Sequence, residues 1–107
     1  MSLDVYLKEF RLTTIYDANI THNLNEMAEE AGIYNHLWRP DEIGITHAKQ
    51  LIIPLREGFS ILSGDPKKFM NLNPENKWGD YSGLVVFVRS YLSACEENPE
   101  SEVHVSR

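Results

Sequence analysis

LDVYLKEFRLTTIY, residues 3–16, alternates apolar and polar side chains, with Leu3, Val5 and Leu7 set between Asp4, Tyr6 and Lys8. A period of two belongs to a strand with one face on a core and the other in water. Phe10 and Leu12 resume the alternation after Lys8-Glu9, so the segment reads as extended. It is either one long strand with a bulge or two short strands joined tightly. At the far end, EVHVS (residues 102–106) alternates in the same way and is rich in β-branched residues. The two ends are expected to pair. Because an isolated pair of strands is marginal in water, helices must cover one face. The predicted fold class is α+β: three main helices packed on a small antiparallel sheet formed by the N-terminal and C-terminal strands.

Between these ends the period changes to that of helices. Leu24, Met27, Ala28 and Ala31 recur on one helical face, with Asn23 and Glu26 spaced as a capping box and Gly32 placed to end the helix. Ile33 to Trp38 reads as a further helical turn before Arg39-Pro40. Ala48, Leu51, Ile52, Leu55, Phe59 and Leu62 give a second helix, with Thr46 as N-cap; Pro54 inside it predicts a kink or a break. Phe69, Met70 and Leu72 suggest one short turn on the core, followed by loop residues from Asn73 to Asn76. The third helix is expected over about Ser82 to Glu97, with Leu84, Phe87, Val88, Tyr91, Leu92 and Cys95 inward. No repeat or internal boundary is visible, and residues 1–107 read as a single domain.

Composition narrows the function classes. The formal net charge is −6, which repels phosphate backbones and disfavours general nucleic-acid binding. Cys95 is the only cysteine, so neither an internal disulfide nor a thiolate metal cluster is expected, as suits a reducing cytosol. Glu96 and Glu97 beside it would raise its thiol pKa. No basic leader precedes an apolar segment and no apolar run approaches the length of a membrane span, so a cytoplasmic chain is expected.

Polar and aromatic residues concentrate in YDANITHNLNEMAEEAGIYNHLWRP (residues 16–40) and NPENKWGDY (residues 73–81). Asn19, Thr21, His22 and Asn23 gather where free backbone donors open the first helix, a setting that suits an anion. Arg39 adds a guanidinium fork if the chain folds back. Trp38 either plugs a helix junction or stacks on a ligand. Trp78, in a polar loop, either caps the core from outside or stacks on a planar ligand or partner. Neither a nucleophile elbow, a Gly-rich phosphate loop nor an HExxH or CxxC pattern occurs, and the four histidines lack the i, i+4 spacing of a helical zinc site.

NITHNLNEMAEEAGIYNHLWRP (residues 19–40), PLREGF (residues 54–59), WGDYSGLVVFVRSYLSAC (residues 78–95) and the terminal VSR together resemble a family of small uncharacterised phage and prophage proteins. The resemblance implies a setting rather than a mechanism: small accessory phage proteins bind and neutralise host components, including defence proteins and nucleotide signals. The leading expectation is therefore a non-catalytic protein that binds, and so sequesters, a small phosphate-bearing or nucleotide-derived ligand. Its site would comprise Asn19, His22, Asn23, Trp38, Arg39, Trp78 and Tyr81, without a cofactor, and a homo-oligomer could enclose it. The alternative is an interaction protein that inhibits a host protein through an acidic and aromatic surface anchored by Trp78 and Tyr81. A third option is a small hydrolase using Asp17 or Glu26 with His22.

Overall fold

The computed structural model describes residues 1–9, 13–77 and 79–107. Phe10 and Leu12, read above as continuing the alternation, and Trp78 lie outside the described residues. Three strands form one sheet in the order β2-β1-β3: β1 (Ser2–Glu9), β2 (Thr13–Thr21) and β3 (Glu102–Ser106). Both pairings are antiparallel. Val5 lies opposite Ala18 on one side and Val105 on the other. The extended N-terminal stretch is thus two strands, and the second continues past Tyr16 to Thr21. A register shift at Leu7/Lys8 supplies the bulge, on β2 at Ile15.

Leu3, Val5 and Leu7 turn their side chains to the helices and are fully buried, while Asp4, Tyr6 and Lys8 stay half-exposed on the outer face. The helical layer comprises α1 (Asn25–Glu30), α2 (Tyr34–Trp38), α3 (Lys49–Gly64), α4 (Pro66–Met70) and α5 (Tyr81–Glu97). α3 and α5 pack on each other, and α5 also lies against β2. Leu51, Leu55 and Leu62 of α3 meet Leu84, Phe87, Val88, Tyr91 and Cys95 of α5 in the core. Each such leucine contributes roughly 1.5–3 kcal/mol relative to exposure. The inward face expected for the last helix is the one observed, and the α+β arrangement of helices on a sheet closed by the two chain ends holds.

Local details differ where tertiary partners supplied what sequence spacing assigned to neighbours. Thr21, not Asn23, caps the first helical region: its Oγ1 accepts the Asn23 N–H at 3.3 Å, and a 3-10 turn (His22–Leu24) precedes α1. Strand β2 runs right up to Thr21, so the extended conformation a cap needs falls there and not at Asn23. α3 begins after Ala48 instead of at a Thr46 cap. Its Ala48 and Lys49 N–H groups donate to the carbonyls of Ser101 and Pro99, and the Gln50 side chain accepts from the Thr46 and His47 N–H groups. α3 runs unbroken through Pro54. The donor lost there belongs to the outer side, where Gln50 and Ile53 are exposed and water can satisfy the freed carbonyl.

Candidate functional site

α2 is a short helix whose i, i+4 spacing sets Tyr34 beneath Trp38, and their rings stack at 5.4 Å with 12° between planes. Trp38 is buried, and His22 approaches it edge-on at 6.2 Å and 62°. His22 stands at the start of the 3-10 turn that follows β2, so the end of the sheet and the end of α2 meet at this indole. Its Nε2 is buried with no hydrogen-bond partner among the described residues.

Arg39 follows directly. Its Nε donates to the Tyr34 hydroxyl at 3.4 Å and its Nη1 to Glu42 Oε2 at 2.7 Å. Pro40 begins a single 3-10 turn, Pro40–Ile43, that carries Asp41 and Glu42 to the same side. Arg107 arrives from the end of β3. It grips Asp41 through both terminal nitrogens at 2.9 and 3.3 Å, donates to the Trp38 carbonyl at 3.1 Å, and stands 3.6 Å from the same Glu42 oxygen. Two guanidinium groups therefore converge on one exposed carboxylate. The hydrogen bonds that Arg39 donates to Tyr34 and Glu42 hold it firmly charged, and Arg107 holds the Asp41 carboxyl below its ordinary range.

Beside this cluster three open grooves adjoin along the outer edge of β3. One of about 440 Å³ is lined by Pro40, Asp41, His104, Val105 and Arg107. The next, about 500 Å³, includes Thr46, His47 and Glu102, and the last, about 430 Å³, reaches Lys8 and Ile15. Tyr34 itself lines a smaller groove of about 300 Å³ together with Glu29, Asn35 and His36. These volumes fall in the range of small-molecule sites.

Of the residues singled out from sequence, His22, Trp38 and Arg39 thus fall into one contiguous group. Asn23 is exposed beside His22. Asn19 is engaged elsewhere: on the outer face of the sheet its amide donates to Asp4 Oδ1 at 2.6 Å and Ser2 Oγ at 2.9 Å. Tyr81 belongs to another neighbourhood, its ring stacked on Phe69 and its hydroxyl donating to the Leu62 carbonyl at 2.6 Å. Trp78 cannot be placed among the described residues, although the following Gly79 sits tight against Thr21 and Leu24 with φ +91°. Tyr34, Asp41, Glu42 and Arg107 were missed. Tyr34 had a readable signal in its four-residue spacing to Trp38; Arg107 had none, being 68 positions from Arg39 by number and brought near only by β3.

Asp17 faces Tyr6 across the sheet, Cys95 is buried and its thiol is pushed up to about 12 by burial and by Glu96. Among the described residues no group of three His, Cys, Asp or Glu side chains is placed to hold a metal ion, and no helix is long and apolar enough to cross a membrane. No family model, curated protein or solved structure matches the chain.

Proposed function

We propose that the protein is a non-catalytic binding protein for a small, planar, phosphate-bearing ligand of the nucleotide class, held beside Arg39 and Arg107. One observation carries this reading: two guanidinium groups from distant parts of the chain converge on the exposed Glu42 carboxylate, next to an aromatic stack and a groove of about 440 Å³. Guanidinium forks match phosphate oxygens as well as they match carboxylate oxygens. In the free protein Glu42 occupies the position that a ligand phosphate would take. It is half-exposed and can swing away without uncovering the core. Tyr34, half-buried over Trp38, offers the ring face for a base. In the phage setting that the sequence resemblance implies, sequestering a nucleotide signal of host defence needs tight binding and no chemistry.

Calorimetric titration with a panel of linear and cyclic nucleotides tests this. Arg39→Ala is expected to abolish binding, whereas Glu42→Gln removes the internal competitor and is expected to tighten it. Flat heats for the folded wild type and for Glu42→Gln across the panel would overturn the reading.

A second reading, an inhibitor of a host protein, is favoured by the run of open grooves along β3, which together present a long surface of mixed charge. Stoichiometric capture of one host protein, lost in Arg107→Glu and indifferent to nucleotides, would select it over the first.

A further inference from the structure

The two edges of the sheet are treated differently. On β3 the Val103 N–H points away from β1 and donates to the Thr46 carbonyl at 2.9 Å, and His47 bridges Glu102, so that edge is partly covered. Antiparallel ladders alternate, so Glu102, His104 and Ser106 face β1, and the other residues of β1 (Leu3, Val5 and Leu7) face β2. Ile20, Ala18 and Tyr16 answer them. The backbone groups of Asp17, Asn19 and Thr21 are therefore turned outward along β2, and among the described residues no backbone group bonds to them across that edge. The usual defences of an edge strand are a lysine, a proline or a bulge. Tyr16 to Thr21 contains neither residue, and the bulge at Ile15 lies beyond it.

We propose that this edge is a homodimer interface, in which β2 of a second copy pairs antiparallel about a two-fold axis at Asn19 and joins two three-stranded sheets into one. A second copy is the occupant that the edge itself specifies. Asp17 is the only charge in β2, and an axis at Asn19 sets it opposite Thr21 of the other copy instead of opposite itself. The same register sets Ala18 against Ile20 on the inner face, extending the apolar row beneath the sheet. Alongside, Ser90 of α5 bonds the Tyr16 hydroxyl at 2.8 Å, and one turn earlier Val86, 54 % exposed, adds an apolar contact on the flank of the edge. A peptide of either charge would meet one carboxylate and little else to select it; the copy matches along the whole segment.

Analytical ultracentrifugation over a concentration series, paired with two substitutions, tests the interface. Within one chain Asn19→Lys places an ammonium opposite Asp4, its cross-strand neighbour, so the fold is kept; across the axis it sets two lysines face to face. The wild type is expected to sediment as a dimer and Asn19→Lys as a monomer with the same circular dichroism and a cooperative melt, lower than that of the wild type and no longer dependent on protein concentration. Under mild oxidation Asn19→Cys is expected to form a disulfide-linked dimer, because directly opposed residues across the axis lie within disulfide reach, whereas the exposed control Ser60→Cys is not. Cys95 is buried and does not compete. A wild type that stays monomeric, a dimer that survives Asn19→Lys, or one that Asn19→Cys fails to cross-link would each overturn the proposal.

Discussion

Tyr91 is fully buried, stacked against Tyr16 at 5.9 Å and tilted on Phe87, yet its hydroxyl has no hydrogen-bond partner among the described residues. Burial, with Cys95 and Tyr16 close by, pushes its pKa far up, so the group stays neutral and still lacks the bonds it had in water. A buried hydroxyl left unpaired costs about 1–3 kcal/mol, and Tyr91→Phe is expected to stabilise the protein by about 1 kcal/mol in urea unfolding. His36 carries a related penalty. Its Nδ1 is buried without a partner among the described residues, and burial lowers its pKa below the ordinary value of about 6.5. The unfolded chain therefore takes up a proton at a higher pH than the folded one. Stability is expected to fall as pH drops below about 6.5, and His36→Gln is expected to flatten that part of the pH–stability curve.

At the scale of elements, α2 and α3 come close only because position 58 has no side chain. A Cβ on Gly58 would overlap the Cγ2 of Ile33, so the glycine serves close approach and not a special backbone angle. Overpacking of this kind costs about 1–3 kcal/mol. Gly58→Ala is expected to lower the melting temperature, and Ile33→Leu, which takes the Cγ2 methyl off the β-carbon, to recover part of the loss in the same chain; additive losses in the double variant would refute the contact. Helix existence and inner faces were legible because apolar residues recur at the helical period in α1, α3 and α5. Their starts were legible only where the cap is local. Asp80 accepts the Gly83 N–H at 2.8 Å and opens α5 one position before the predicted start, Tyr81 against Ser82. α3 takes its first donors to the carbonyls of Pro99 and Ser101, so apart from the Gln50 side chain that accepts from the Thr46 and His47 N–H groups its start is set by a distant part of the chain.

For the molecule as a whole, β3 matters beyond its length. It covers the second edge of β1, anchors Thr46 and delivers Arg107 to Asp41 and Glu42. Removing residues 102–107 would leave Val5 and Leu7 without a neighbour on that side, and a chain ending at Ser101 is expected to lose its cooperative thermal transition. The candidate site was partly legible for the same reason. His22, Trp38 and Arg39 stood out by residue type, and their convergence follows from a short segment folding on itself. Asn19 stood out equally, but strand alternation turned it to the outer face, toward Asp4. By itself the chain's periodicity determined that two alternating ends would pair and that helices would cover them, because side-chain period is a local property of backbone geometry. That Arg107 joins the local Arg39–Glu42 pair, and that the first donors of α3 find the carbonyls of Pro99 and Ser101, was decided by tertiary structure alone. Those contacts join residues whose separation along the chain carries no trace of their distance in space.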